Sequence, residues 1–297
     1  MYGGGKLSSS GKIFLTASSC GFCRGVRNAL EQFEKALADH GTPVYVLHEL
    51  VHNNFVTGSM AARGAVFVSS LSDVPDNSTL LIGAHGVPEK VMLEAKQRFN
   101  VIDATCPRVL ALQKMAGGIP AAGELVMLCK PGHPEAEGVM GHSSTGKIYP
   151  VSSVEDAQKL PDLVSPVLLS QTTVSGKLVE QVTEYLRSRF PGIRTSSRIC
   201  DASSRRQQSV DALAKRCDCI IVVGSKHSSN AYELYKLAQA CGVKSYFIDS
   251  PENVTDAMLA GHSAIGITAG ASTPDELIDG LKERLKEFGF SDAGVAE

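Results

Sequence analysis

Three of the eight cysteines stand at the polar ends of predicted secondary-structure elements, where a thiol is available for chemistry. Cys23 opens a helical stretch after "GF", Cys106 ends the strand-like run "VIDATCP", and Cys200 precedes a helical stretch in "SRICDASSRRQ". Three thiolates can hold a cubane [4Fe–4S] cluster and leave one iron open, since electron-transfer clusters use four cysteines. An open metal position can bind and polarise a substrate oxygen.

Cys20 and Cys23 also form a C-x-x-C pair, and that spacing alone has several interpretations. It is compatible with a redox dithiol, with half of a zinc site, or with one cluster ligand beside an uninvolved cysteine. Cys23 is the favoured ligand because the dipole at a helix start stabilises a thiolate. The remaining cysteines lie in or beside apolar runs, where free cysteine behaves as a small core residue: Cys129, Cys217, Cys219 and Cys241.

Histidines and hydroxyl residues in glycine-rich loops predict an anion site. Imidazoles can donate hydrogen bonds to an anion, and their charge is adjustable near neutral pH. The helix starts that follow "GSKHSSN" and "GAST" would add exposed backbone N–H groups. The predicted anion-site residues are His52, His85, His133, Ser228, Ser229, Asn230 and Ser272. Because the chain has neither a Walker A sequence nor G-x-G-x-x-G, we expect the substrate itself to carry the anion.

The strings "GHPEAEG" and "SQTT" contain candidates for proton transfer. In an extended loop, His133 and Glu135 would project in the same direction and could face one ligand. A carboxyl group in a partly dry cleft can act as a proton donor, and the hydroxyls of Thr172 and Thr173 could relay the proton. Thr273, in "TPDE", fits a capping box with proline at the first helical position.

The elements that must position these residues alternate between apolar strand-like runs and amphipathic helical stretches. Such alternation predicts an α/β fold with mostly parallel sheets. A weak internal repeat pairs "TLLIGAHGV" with "NVIDATCP", "LVMLCKPGHPEAEG" with "VLLSQTT", and "CIIVVGSKHSSN" with "AIGITAGAST". Ligands of open α/β sheets collect beyond the carboxyl ends of the strands. Three such units would therefore direct their loops at one shared centre.

Composition excludes several classes of function. The chain has 297 residues and a net charge of −2, which gives no electrostatic footprint for nucleic acid. No apolar run approaches the roughly 18 residues of a membrane span, so we expect no membrane segment. The Gly/Ser-rich start lacks the apolar core of a signal peptide, and we expect reduced thiols and a cytoplasmic location.

The motifs together resemble the 4-hydroxy-3-methylbut-2-enyl diphosphate reductase (IspH/LytB) family. The matching strings are "GFCRGV", "HELVHN", "RGAVFV", "AHGV", "DATCP", "GHPEAEG", "SQTT", "VVGSKHSSN" and "TAGASTPD", in the family's order from about Lys12 to about Phe288. The resemblance implies three α/β lobes in a trefoil around a [4Fe–4S] cluster held by Cys23, Cys106 and Cys200. It also implies reductive removal of the substrate hydroxyl, which gives isopentenyl and dimethylallyl diphosphate.

The resemblance further implies roles for individual residues. Glu135 matches the family's proton-delivering acid, Thr172 belongs to its hydroxyl network, and His133 lies between the diphosphate and the reacting end. The matching diphosphate-binding set is His52, His85, His133, Ser228, Ser229, Asn230 and Ser272. A ferredoxin or flavodoxin would donate the electrons to a monomer or weak dimer.

We expect the first and second lobes each to be one continuous segment of the chain and the third lobe to combine two segments. A flexible leader would occupy residues 1–10 and a loose tail 289–297. The first lobe would span 25–106 and the second 107–203, and the third would combine 11–24 with 204–288.

Two other functions compete with the reductase. A cluster-dependent dehydratase would use the open iron as a Lewis acid and turn over without a reductant. A non-catalytic zinc protein would use Cys20 and Cys23 with Cys217 and Cys219, and would be colourless.

Overall fold

Alternating strands and helices build the chain in a computed structural model that describes residues 11–196 and 200–296. The expected leader, residues 1–10, lies outside the described residues. The strands are β1 (Ile13–Ala17), β2 (Val44–Leu47), β3 (Ala65–Val68), β4 (Thr79–Ile82), β5 (Asn100–Asp103), β6 (Glu124–Leu128), β7 (Ile148–Val151), β8 (Pro166–Ser170), β9 (Arg194–Ser196), β10 (Cys219–Val223), β11 (Lys244–Ile248), β12 (Ala264–Ala269) and β13 (Ser291–Ala296).

Helices connect these strands and cover the sheets. They are α1 (Arg24–His40), α2 (Asn54–Ala62), α3 (Glu89–Arg98), α4 (Pro107–Gly117), α5 (Pro134–Met140), α6 (Val154–Gln158), α7 (Gly176–Arg189), α8 (Asp201–Ala214), α9 (Ser229–Ala240), α10 (Asp256–Leu259) and α11 (Asp275–Glu287). None of the helices in the described segments has the length and apolar character that crossing a bilayer requires.

The strands form three parallel sheets with one repeated order. The first sheet runs β3-β2-β4-β5, the second β7-β6-β8-β9, and the third β11-β10-β12-β1-β13. All of the strand pairs in these sheets are parallel. In the third sheet, the N-terminal strand β1 takes the place that β5 and β9 hold in the others. The expected three-lobe α/β architecture is confirmed, while the residues at which one lobe passes to the next stay a prediction.

The repeat predicted from sequence is out of step by one strand in its first unit. In the second and third units it pairs β6 with β8 and β10 with β12, which are the two central strands. In the first unit it pairs β4 with β5, whereas the central strands are β2 and β4. The loop of "AHGV" is therefore equivalent to "SQTT" and "GAST", and "DATCP" is equivalent to the segments that carry Cys23 and Cys200.

Each sheet is buried on both faces, as parallel sheets usually are. Strand β10 illustrates the pattern, because Ile221 and its alternate neighbours enter one core cluster while Ile220 and Val222 enter another. Helix α1 buries Phe33 and other residues of a single face against the first sheet, and it ends at Gly41, whose φ of 72° suits glycine. Because the strands of each sheet are parallel, the loops that follow them lie at the same end of the sheet.

The expected loose tail is wrong for residues 291–296. They form β13, which pairs in parallel with β1 at the edge of the third sheet. Phe290 anchors this segment in the core with 2% of its surface exposed, and Ala296 is fully buried. The sequence "SDAGVAE" is polar and contains glycine, so its pattern gives no strand signal. The pairing depends on an open edge of β1 that only the assembled sheet provides.

We predict that Phe290→Ala lowers the free energy of unfolding by about 3–5 kcal/mol, because it removes a buried aromatic ring. Urea denaturation under anaerobic, reducing conditions measures the change. Val295→Ala, at a position that is 53% exposed in the same segment, is the control and should cost less than about 1 kcal/mol. Equal stability of Phe290→Ala and the wild type would mean that the segment is indeed loose.

Candidate functional site

One cavity is lined by every site residue that the sequence predicts. It has a volume of about 90 Å³, enough for a ligand of several non-hydrogen atoms. Its walls include the three thiols, three imidazoles, one carboxyl group and the hydroxyl and amide groups of the expected anion site: Cys23, Cys106, Cys200, His52, His85, His133, Glu135, Thr172, Ser228, Ser229, Asn230 and Ser272. The structure brings these twelve residues together, and their individual roles stay predictions.

The repeated strand order explains this convergence. Three loops follow the equivalent strands β1, β5 and β9, and each supplies one cysteine: Cys23, Cys106 and Cys200. Three loops follow β2, β6 and β10, and they supply His52, His133 and Ser228. Three loops follow β4, β8 and β12, and they supply His85, Thr172 and Ser272. Each of the three sheets thus contributes one residue from each of these three sets, at the carboxyl ends of its strands.

Each of the three cysteines is the N-cap of a helix, and each is a free, half-buried thiol. The Cys23 sulfur accepts a hydrogen bond from the backbone N–H of Val26 at 3.4 Å. A Cβ added to Gly25 would lie 2.9 Å from the Cys106 sulfur and 3.7 Å from that of Cys23. The backbone of α1 therefore approaches two of the sulfurs closely, which requires glycine at this position. Burial raises the pKa of Cys106, and negative charge on Cys23 or Cys200 would raise it further.

The other cysteines do not join this group. Cys20 is absent from the cavity wall and packs against the core, where burial raises the pKa of its thiol. Burial raises the pKa values of Cys217 and Cys219 to about 12. These two side chains enter core clusters on opposite faces of the third sheet, and neither lines the cavity. The expectation of a core position is wrong for Cys241, which is exposed.

The imidazoles of His52, His85 and His133 form a compact cluster. The ring centroids of His52 and His85 are 4.8 Å apart and stacked, while His133 lies edge-on at 5.7 Å and 5.3 Å from them. Burial, reinforced by the neighbouring histidines, holds the pKa of His85 well below its usual value. Burial likewise lowers the pKa of His133 to about 4. Both rings are therefore neutral at pH 7 without a ligand, and a bound anion would favour their protonation.

In His133 and His52, hydrogen bonds fix which ring nitrogen is available. His133 is the N-cap of α5, and its Nδ1 accepts from the backbone N–H of Glu135 at 3.2 Å. The proton of the neutral His133 ring is therefore on Nε2, which can donate to a ligand. The Nδ1 of His52 lies 3.0 Å from a carboxylate oxygen of Glu49, to which it donates. One nitrogen of the His133 ring and one of the His52 ring are thus committed to the protein.

Glu135 and Thr172 form a buried pair that joins the first turn of α5 to the loop after β8. The two carboxylate oxygens of Glu135 accept from the backbone N–H of Thr172 at 2.6 Å and from its hydroxyl at 2.8 Å. Burial raises the pKa of Glu135, although the two bonds from Thr172 oppose the shift. The Thr172 carbonyl in turn accepts from the backbone N–H of Cys200 at 3.2 Å. The carboxyl group is therefore held firmly and is easier to protonate than an exposed glutamate.

Two local predictions around these residues are wrong. His133 and Glu135 do not share an extended loop, because α5 begins at Pro134 and places Glu135 in its first turn. Proline pre-sets the helical φ angle, so the chain turns at once. Thr273 does not cap α11, whose N-cap is Pro274; its hydroxyl instead donates to the carbonyl of Val223 at 3.0 Å.

The start of α9 contains polar atoms without partners. Ser228 caps the helix by accepting from the N–H of Ala231, and the Ser272 hydroxyl donates to the Ser228 oxygen at 3.2 Å. Asn230 Oδ1 accepts from Ala271, but Asn230 Nδ2 and the hydroxyl of Ser229 are buried without a hydrogen-bond partner. A buried polar group without a partner costs free energy. The two orphaned groups therefore indicate a polar ligand at this helix N-terminus.

Several cavity residues were not predicted from the sequence. Gly25, Arg108, Val109 and Ser203 line the cavity, and Arg206 lies in α8 outside its lining. A signal for the last two exists, because Ser203, Arg206 and Ser209 recur at a spacing of three and all are buried. Polar residues on the core-facing side of a helix require polar partners. The other three positions carry no comparable signal.

Comparison with known proteins finds relatives along almost the whole chain. A family model described as LytB protein matches residues 14–286. The 4-hydroxy-3-methylbut-2-enyl diphosphate reductase 2 of Burkholderia mallei is 40% identical, over 99% of this chain and 91% of its own length. The 4-hydroxy-3-methylbut-2-enyl diphosphate reductase of Stenotrophomonas maltophilia is 42% identical, over 94% of this chain and 92% of its own.

Two solved structures resemble this one. The E-1-hydroxy-2-methyl-but-2-enyl-4-diphosphate reductase of Plasmodium falciparum superposes with a TM-score of 0.91, at 29% identity, over 97% of this chain and 93% of that one. A second structure is described as (E)-4-hydroxy-3-methyl-but-2-enyl diphosphate reductase, the terminal enzyme of the non-mevalonate pathway. It superposes with a TM-score of 0.67, at 29% identity, over 93% and 99% of the two chains.

The lowered pKa of His133 predicts a loss of stability in acid. The ring binds a proton at about pH 6.5 in the unfolded chain but only at about 4 in the folded one. The free energy of unfolding therefore falls as the pH drops through this window, by up to about 3 kcal/mol from this residue. His133→Asn keeps a good N-cap and does not titrate. Urea denaturation at pH 7 and pH 4.5 should show a smaller acid loss in the variant, and an equal loss in both proteins would refute the shift.

We also predict that Gly270→Ala weakens binding of inorganic diphosphate. The added Cβ would lie 2.6 Å from the Cβ of Ala231 and would push the start of α9 away from its loop. Overpacking of this kind costs about 1–3 kcal/mol. We expect the displaced helix start to bind diphosphate about tenfold more weakly, which corresponds to a loss of about 1.4 kcal/mol in binding free energy.

Isothermal titration calorimetry measures that change. Gly58→Ala in α2 is the control, because no other atom lies within 4 Å of the added Cβ and alanine favours the helix. The control should bind as the wild type does. Wild-type affinity in Gly270→Ala would show that the start of α9 does not hold the anion.

Proposed function

The chain belongs to the LytB protein family, and we propose that it reduces 4-hydroxy-3-methylbut-2-enyl diphosphate to isopentenyl diphosphate and dimethylallyl diphosphate. It is an oxidoreductase, as its relatives' names indicate. One observation carries the proposal: a single cavity combines three unpaired cysteines with a cluster of imidazoles and orphaned polar groups. The thiols suit a redox metal group, and the imidazole and hydroxyl side suits a diphosphate.

The donor set of the cavity fits a [4Fe–4S] cluster. Cys23, Cys106 and Cys200 would hold it, because each is a free thiol in the cavity wall at the N-terminus of a helix, where negative charge is stabilised. Three thiols leave one metal position without a protein ligand. When bound, the cluster supplies electrons and a Lewis-acidic iron that is open to the substrate.

The diphosphate would lie at the start of α9. The orphaned Ser229 hydroxyl and the Asn230 amide would donate to its oxygens, together with Ser228 and Ser272. The three imidazoles, His52, His85 and His133, would share the remaining negative charge. His133 is suited to contact the anion through Nε2, because its Nδ1 is committed to the backbone of Glu135.

Glu135 would supply the proton that the reaction needs at this site. Replacing a C–OH group by C–H consumes two electrons and two protons and releases one water molecule. Burial raises the pKa of Glu135, which favours the protonated acid, and the Thr172 hydroxyl bonded to it can relay the proton. Acid and hydroxyl are both buried, so bulk water does not compete for the proton.

Electrons would come from a ferredoxin or flavodoxin in the cytoplasm, and the enzyme would work as a monomer or weak dimer. A cluster-dependent dehydratase is the second candidate, because the same open metal position would serve it. Anaerobic assays with and without dithionite and a viologen mediator distinguish the two. The reductase consumes the allylic diphosphate only with reductant, and turnover without reductant would favour the dehydratase.

We predict that Glu135→Gln lowers kcat by about a hundredfold or more, the usual effect of losing an acid–base group. Glutamine is nearly isosteric and can still bond Thr172, so KM should change little. Steady-state kinetics under anaerobic conditions measure both constants. Glu137→Gln is the matched control, since Glu137 lies exposed in the same helix. Near-wild-type kcat in Glu135→Gln would remove Glu135 from the proton path.

A further inference from the structure

Arg206 is a buried guanidinium group between two of the cysteine segments. It lies in α8, the helix that Cys200 caps, and only 3% of its surface is exposed. Its Nη1 donates to the carbonyl of Ala202 at 2.7 Å, and its Nη2 donates to the carbonyl of Gly21 at 2.5 Å. The Ala202 carbonyl is thus two residues after Cys200 in the chain, and the Gly21 carbonyl is two residues before Cys23. The side chain joins the backbones that present these two thiols.

The charge of Arg206 lacks a carboxylate partner. No aspartate or glutamate in the described parts of the chain forms an ion pair with it, and its Nε is buried without an acceptor. Burial lowers the pKa of Arg206, while negative charge on Cys23, Cys20 or Cys200 would raise it again. An isolated buried cation is costly, so a compensating negative charge is expected nearby.

We propose that Arg206 is a positioning residue whose buried positive charge compensates the thiolate-bound cluster and favours its reduced form. The inference rests on the proposed function, because it requires that Cys23 and Cys200 hold an iron–sulfur cluster. Net charge and burial are among the factors that set cluster potentials. Each reduction step adds a negative charge, and a fixed cation in a poorly screened site stabilises it. The two carbonyl contacts hold the cation at that place.

The neighbouring Arg205 offers a matched control for this proposal. It carries the same charge on the same helix, one residue away, but its side chain is exposed. Solvent and salt screen a charge at the surface far more than a buried one. If Arg206 acted only by holding α8 in place, its hydrogen bonds would matter to the cluster and its charge would not. The proposal requires that its charge matters.

The test is a redox titration of the anaerobically purified holoenzyme, followed by EPR, in the wild type, Arg206→Gln, Arg206→Lys and Arg205→Gln. At the wild-type midpoint potential, Arg206→Gln should show a reduced-to-oxidised ratio about tenfold lower, which equals 59 mV for a one-electron couple. Arg206→Lys keeps the charge and should stay within about threefold of the wild type, and Arg205→Gln within about twofold, because its charge is screened. Iron content and circular dichroism report on loading and folding.

The outcomes separate the inference from the function that it rests on. An unchanged ratio in cluster-loaded Arg206→Gln overturns the inference alone. If Arg206→Gln does not fold or load, Arg206→Lys decides: a ratio near the wild-type value supports the charge, and a tenfold fall overturns it. A wild-type protein that binds no cluster after anaerobic reconstitution overturns the proposed function, and the inference falls with it.

Discussion

In a parallel sheet the carboxyl ends of all strands lie on the same side of the sheet, and this constraint determines where the site forms. Three sheets with the same strand order direct these carboxyl ends at one cavity, and described residues that follow nine of the strands line it. Each loop leads into a helix or a tight turn whose free N–H groups carry partial positive charge. Thiolates, a diphosphate and a buried carboxyl group are all negatively charged in at least one state. The fold thus supplies a centre suited to anions before any side chain is considered.

Burial is the main influence on the protonation of His85, His133 and Glu135 in the cavity. Two imidazoles are held neutral, the acid Glu135 is made easier to protonate, and the Arg206 guanidinium is buried without a carboxylate. A negatively charged ligand would therefore meet hydrogen-bond donors that are already held in position and are still available to bind it. This arrangement explains why polar atoms at the start of α9 remain without partners within the described protein.

Much of this site could be predicted from the sequence, because cysteine, histidine and serine in glycine-rich loops stand out locally. The three-lobe fold followed from the alternation of apolar runs and from the family motifs. The wrong predictions concern features that depend on contacts between residues far apart in the chain. The segment 291–296 becomes a strand only beside β1, and the first repeat unit was misaligned because β2 and β4 are separated by a helix and an edge strand. The place of Arg206 beside the Cys23 segment cannot be predicted from local sequence, because its Nη2 donates to the carbonyl of Gly21, which is 185 residues away in the chain.

The proposed function requires that Cys23, Cys106 and Cys200 hold an iron–sulfur cluster with one iron open to the substrate. Mössbauer spectroscopy of protein reconstituted anaerobically with ⁵⁷Fe tests it most directly, with and without the allylic diphosphate. We expect a cubane cluster in which one iron differs from the other three and responds to the diphosphate. A protein that takes up no cluster, or a cluster whose irons are all unaffected by the diphosphate, would contradict it.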